Sequence, residues 1–179
     1  MIPTNINYSP YIIIAAMDKE GGFAKNGEIP WYYSEDFKWF RKLTNNHVCV
    51  MGRKTYEDIN TRMGDRGFPT VLPNRRCFVV STTLTSLPNA TVISCLTDVE
   101  KHINKSVDII FVIGGQSLFE EAILKSNISY ISVIDKVFDC DRFLPIDYMK
   151  DQFKFEIQEQ HYDNELTFYK ITRQVLLCY

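Results

Sequence analysis

The residue best placed to do chemistry is Asp36. It lies in EIPWYYSEDFKWFRKL, residues 28–43, just after Ile29, Pro30, Trp31, Tyr32 and Tyr33. The SEDFKWF run reads as a helix with Ser34 as its N-cap, because a serine hydroxyl can accept from an unpaired first-turn amide. At 3.6 residues per turn, Asp36, Phe40 and Leu43 share one face. That face points to the core or to a lined cleft. A buried carboxylate without a partner costs several kcal/mol or more, so the side chain calls for a ligand that offers hydrogen-bond donors. The plainer alternative is an acid favoured by the helix dipole, although Glu35 next door already supplies that charge.

Three stretches carry the marks of an anion site. HVCVM runs into GRKTYEDI, where Gly52 allows a tight turn and Arg53, Lys54 and Thr55 fall at a helix start. Cations there oppose the helix dipole, which points to something negative bound on the free amides. CFVV is followed by Ser81 and Thr82, hydroxyls at the carboxyl end of a strand, where α/β folds place ligands. DIIFVI meets Gly114-Gly115 and then QSLFEEAIL, a strand–glycine–helix turn whose amides can approach phosphate oxygens. Tight strand-to-helix packing alone would also use two glycines.

These residues need a sheet to position them. Apolar β-rich runs at 11–17, 47–51, 77–80, 108–113 and 129–137 read as buried strands. Helices are expected after residue 34, after Gly52, over 97–103 with Thr97 as cap, and after Gly115. Residues 18–27 read as a loop with an Asn-Gly turn, able to act as a lid beside the Asp36 helix. Residues 60–76, ending in LPNRR, read as a long loop, and so do residues 138–149. Alternating segments 153–161 and 167–174 read as an antiparallel hairpin. The expected fold class is α/β, a single domain over residues 1–179. Its central sheet is mixed but mostly parallel, flanked by helices, with the C-terminal hairpin at one edge.

Composition narrows the function classes. The 179 residues carry a net charge of −2 with no long run of one sign, so neither nucleic acid nor a membrane surface is an expected partner. The longest apolar runs are too short to span a bilayer. The start MIPTNINYSP lacks the basic-then-apolar pattern of a signal peptide. Cys49, Cys77, Cys95, Cys140 and Cys178 are odd in number and scattered, which fits reduced thiols in the cytoplasm. His47, His102 and His161 form no ligand-spaced pair, so no metal is expected.

Together and in this order, IIAAM, NGEIPW, SEDFKWF, VMGRKTYE, LPNR, FVVS, VIGGQSLFE and YISVID followed by D, F and LP resemble the dihydrofolate reductase family, over residues 11 to about 173. The resemblance implies NADPH-dependent reduction of 7,8-dihydrofolate to tetrahydrofolate, with antifolates as inhibitors and a monomer as the working unit. It gives Asp36 the role of the active-site acid, holding the pterin through paired charge-assisted hydrogen bonds and assisting protonation. Ser132 would support that acid and Trp31 would order a water near it. Ala16, Ile29, Phe40, Ile59 and Ile113 would line the substrate pocket, and Arg75 would pair with the glutamate α-carboxylate.

For the cofactor, the resemblance gives Arg53 and Lys54 to the 2′-phosphate, with Ser81 and Thr82 nearby. Gly52, Thr55, Gly114, Gly115, Gln116, Ser117 and Leu118 would surround the diphosphate, with a cis peptide between the glycines. Ala16, Ile113 and Phe119 would border the nicotinamide, and residues 19–28 would close over the reacting rings. The chain departs from the pattern at Ala24, where many members have Gly, and at Cys140, where a bacterial relative has Gly in the loop that props the lid. Two alternatives stand beside this reading: a same-fold NADPH reductase of a riboflavin-pathway pyrimidine, and a non-catalytic protein that keeps the fold.

Overall fold

The computed structural model describes residues 9–65, 67, 71–104 and 106–174. Residues 1–8, Pro69 and Cys178, each used in the sequence reading, lie outside the described residues. Among the described residues, ten strands and four α-helices follow in order: β1 (Tyr11–Asp18), β2 (Gly22–Ala24), α1 (Ser34–Thr44), β3 (Val48–Gly52), α2 (Arg53–Asp65), β4 (Arg76–Val80) and β5 (Thr91–Ile93). After a 3₁₀ helix over Leu96–Lys101 come β6 (Ile110–Val112), α3 (Gln116–Lys125), β7 (Ile128–Ile134), β8 (Arg142–Phe143), α4 (Ile146–Gln152), β9 (Phe153–His161) and β10 (Leu166–Arg173).

Eight strands form one sheet in the order β5-β4-β3-β6-β1-β7-β10-β9. The first six run parallel, and only the hairpin β9–β10 is antiparallel, at the edge beyond β7. The apolar runs are continuous because both faces are covered. Along β3, Val48 and Val50 enter one cluster with Leu118, Ala122 and Met149 of α3 and α4, while Cys49 and Met51 enter another with Tyr56 of α2. Parallel order brings the carboxyl ends of β1, β3, β6 and β7 to one side, with Ala16 level with Ser132. The residues flanking those ends are the candidate site.

Several local expectations are corrected. The stretch 60–76 is not all loop, because α2 continues to Asp65. Arg62 pairs with Asp58 one turn back at 3.0 Å, and Thr61 Oγ1 donates to the Glu57 carbonyl. The segment 97–103 is a 3₁₀ helix starting at Leu96, with no side-chain cap from Thr97. The loops 18–27 and 138–149 pair with each other as β2 and β8, a two-stranded sheet, and α4 begins inside the second. β5 was not expected, since three residues, Thr91–Ile93, are too few to show a period.

Ser34 is not the cap of α1. The cap position is Tyr33, and Ser34 Oγ instead lies 3.1 Å from the Tyr162 hydroxyl. The start of α1 is thus tied to the β9–β10 turn, where Tyr162, Asp163 and Asn164 take positive φ. Tyr33 donates to Glu165, which also pairs with Lys136 at 2.7 Å. Burial, then this bond, pushes the Tyr33 hydroxyl up to about 12. Trp39 of the same helix stacks on Phe168 of β10 with ring centroids 4.7 Å apart and planes 7° apart, a contact worth about 0.5–1.5 kcal/mol beyond its burial.

Candidate active site

Asp36 lies in the second position after the α1 start, half-buried and facing the carboxyl end of β7. The most buried side chains of α1 are Trp39 and Thr44, so the face shared by Asp36, Phe40 and Leu43 lines a cleft rather than the deepest core. The Ser132 hydroxyl, on a 3 % exposed residue, donates to the Asp36 carboxyl. Desolvation raises the Asp36 pKa, and the Ser132 bond offsets this only in part. Among the described residues no cation pairs with Asp36. A carboxyl so placed is completed by a ligand that donates hydrogen bonds to it.

Trp31 sits on the same cleft, buried, with its ring 4.9 Å from that of Phe138. Its Nε1 is buried with no hydrogen-bond partner among the described residues. This free donor fits a group that bridges toward the acid. Ala16 packs with Trp31, whereas Phe40, Ile59 and Ile113 pack around Ile14, Met51 and Tyr56 on the same side of the sheet. Ile29 stays more than one-third exposed at the rim. Phe37, one residue after Asp36, was missed by the sequence reading. Its ring lies 5.3 Å from that of the exposed Tyr32. Three residues before Phe40, Phe37 lies next to that position by helical spacing.

Arg75 is held from below. Its Nε and Nη2 donate to Thr44 Oγ1 at 3.2 and 3.1 Å, its Nη1 to the Pro73 carbonyl at 2.6 Å, and its Nη2 to the Arg41 carbonyl at 3.1 Å. All these acceptors are neutral, and no acid pairs with Arg75 among the described residues. Burial lowers its pKa. A half-buried cation without a counter-charge marks a place for an anionic group.

The second half of the site is a backbone cradle. The α2 helix starts directly after Gly52 and α3 directly after Gly115, and neither has an acid in its first turn. The Gly52 amide donates to the Gly114 carbonyl at 2.8 Å, so the two helix starts are side by side. Gly114 takes φ +134°, and a Cβ there would lie 3.2 Å from Thr55 Oγ1 and 3.7 Å from Phe119 Cζ. The Gly114–Gly115 peptide is cis, as the resemblance implied. Two helix N-termini without a first-turn acid, converging on a glycine pair, suit a diphosphate, and these residues therefore fit a dinucleotide.

Other predicted cofactor residues differ in what they offer. Leu118 is buried in the core beside Ala122, so its backbone is the part it can turn to a ligand. Gln116 Nε2 donates to Glu120, and Ser117 is exposed. Arg53 is exposed but paired with Glu57 at 2.7 Å, while Lys54 is exposed without an acid partner among the described residues. Ser81 Oγ is taken up locally by the Thr83 and Leu84 amides, and Thr82 is exposed beside it.

The family model described as Dihydrofolate reductase matches residues 11–177. The chain belongs to the dihydrofolate reductase family. Among curated members, the dihydrofolate reductase of Staphylococcus aureus (strain Mu50) is 37% identical over 134 residues, covering 74% of this chain and 76% of its own. That of Ureaplasma parvum serovar 3 is 29% identical over 151 residues, covering 83% and 88%. Family membership accounts for the order of motifs along this chain and for the mostly parallel sheet with its terminal hairpin. Among the described residues no helix is long and apolar enough to cross a membrane.

Proposed function

We propose that this chain reduces 7,8-dihydrofolate to 5,6,7,8-tetrahydrofolate with NADPH. The observation that carries the reading is the half-buried Asp36, raised in pKa by burial and without a cationic partner among the described residues, in a chain whose Gly52–Gly114 contact joins two helix starts into an anion cradle. NADPH, when bound, supplies the hydride. The chain's own residues do the rest. Asp36 accepts hydrogen bonds from the pterin's ring nitrogen and amino group, and these donors draw its carboxyl back toward the ionised form. Trp31 Nε1 holds a water near the acid, through which a proton reaches the ring nitrogen beside the reduced carbon. Arg75 receives the glutamate α-carboxylate, Lys54 and Arg53 face the 2′-phosphate, and the amides after Gly52 and Gly115 hold the diphosphate.

The loop 19–28 excludes water from the reacting rings. The same reading gives a monomer as the working unit. Cys49, Cys77, Cys95 and Cys140 are free thiols, in keeping with the cytoplasm. The test is the fall in NADPH absorbance on adding dihydrofolate to the purified chain. A dihydrofolate-dependent rate supports the reading. No such rate, or reduction only of a riboflavin-pathway pyrimidine, overturns it.

A further inference from the structure

We propose that Asp18 is a positioning residue that holds the loop 19–28 in place over the cleft. The proposal rests on the reading above, in which that loop covers the reacting groups. Asp18 is the last residue of β1 and is 0 % exposed. Its Oδ1 accepts from the amides of Glu20 at 2.9 Å and Gly22 at 2.8 Å, and its Oδ2 from the amide of Phe138 at 3.0 Å. The Cys140 thiol donates to it as well. One side chain thus joins the root of the loop to a segment 120 positions later.

The fit around this group is close. A Cβ on Gly22 would lie 2.6 Å from Cys140 Cβ, 2.8 Å from Cys140 Sγ and 3.0 Å from Asp18 Oδ2. Only glycine lets β2 approach Cys140 to this distance. Beyond Gly22 the two segments stay paired: the Asp141 amide donates to the Ala24 carbonyl, and the Asn26 amide to Asp141 Oδ2, both at 2.9 Å.

The consequences reach both halves of the site. Between Gly22 and Ala24, Phe23 sets its ring edge-on to Phe119 at 5.4 Å, and Phe119 borders Gly114. On the other arm, the Phe138 amide is the one Asp18 holds, and the Phe138 ring packs on Trp31. An asparagine cannot replace this acid. It has the same size, but its NH₂ would face an amide donor on one of the two arms.

The test uses the full chain and three variants, D18N, G22A and the double variant G22A/C140G. Amide hydrogen exchange is read at Gly22, Phe138 and Asp141, with Val50 of β3 as reference (at position 22 the variant's own residue is read). Single-turnover hydride transfer and dihydrofolate affinity without NADPH are measured alongside. In D18N at least one of the Gly22 and Phe138 amides, the one that faces the new NH₂, is expected to exchange about tenfold faster, the scale of one lost hydrogen bond, with Val50 unchanged. Hydride transfer should slow about tenfold while dihydrofolate affinity stays within about twofold, a split that a purely structural role would not give. G22A should loosen the same amides, and C140G added to it should restore them.

Continued protection of both Gly22 and Phe138 in D18N, equal acceleration at Val50, equal losses in rate and affinity, or failure of C140G to rescue G22A would each overturn the proposal. If D18N does not fold, the G22A and G22A/C140G pair decides. A wild-type chain without a dihydrofolate-dependent rate would count against the functional reading alone, and the exchange results would still decide the role of Asp18.

Discussion

Arg75→Met should separate substrate recognition from structural support. The guanidinium already makes four bonds to three neutral acceptors, among them the Arg41 carbonyl near the end of α1 and Thr44 Oγ1, which itself donates to the Phe40 carbonyl. What it lacks among the described residues is a carboxylate. A hydrogen bond to a charged partner contributes about 1.5–3 kcal/mol, so losing the substrate carboxylate should weaken dihydrofolate about 10- to 150-fold. Methionine keeps much of the apolar stem packing, and far-UV circular dichroism with thermal unfolding checks that α1 persists. Equilibrium fluorescence titration gives the affinity. The control is a dihydropterin without the glutamate tail, whose affinity should change less than about twofold, because it makes no ion pair to lose. Arg75→Lys should fall between, since a point charge cannot reproduce the planar fork. Equal losses for the tailed and tailless ligands would refute the reasoning and leave Arg75 as a brace for α1.

Asp36→Asn should lower turnover at neutral pH about 10²- to 10⁴-fold, with partial recovery in acid, where the substrate arrives protonated; a pH–rate profile tests this, and unchanged turnover would refute the role. The same variant should be the more stable one without ligand. The folded pKa of Asp36 is raised above its ordinary 3.8, so its contribution to stability is fully present below that value and is lost as pH rises through the folded pKa. Thermal melts should therefore show Asp36→Asn ahead of wild type near neutrality and the gap closing in acid. Lys54→Ala should weaken NADPH more than NADH, and more than Arg53→Ala does, because Arg53 is already paired with Glu57. Equal weakening of both dinucleotides would count against a 2′-phosphate contact there.

Much of this architecture was legible in the sequence because its cues are short-range. Continuous apolar runs marked strands buried on both faces, and Gly52 and Gly115 marked the two helix starts. Asp36 stood out because its helical spacing set it on the same face as Phe40 and Leu43. What stayed hidden depends on contacts between distant segments. Nothing local announces that residues 22–24 pair with 142–143, that Ser34 reaches Tyr162 instead of capping its helix, or that Asp18 accepts the Phe138 amide. Arg75 could be placed near the substrate only by resemblance, since its three protein acceptors come from α1 and from Pro73 and are not contiguous in the chain. Helix α2 ran past its expected end because side-chain pairs one turn apart continue it through polar residues with no apolar period.

The most direct measurement is the carboxyl ¹³C shift of Asp36, followed against pH in the free chain and in the chain saturated with folate. The free carboxyl should titrate above 3.8, held up by burial, and bound folate should move that midpoint down as its donors engage the acid. A free midpoint at 3.8, or one that folate leaves where it was, would contradict the account.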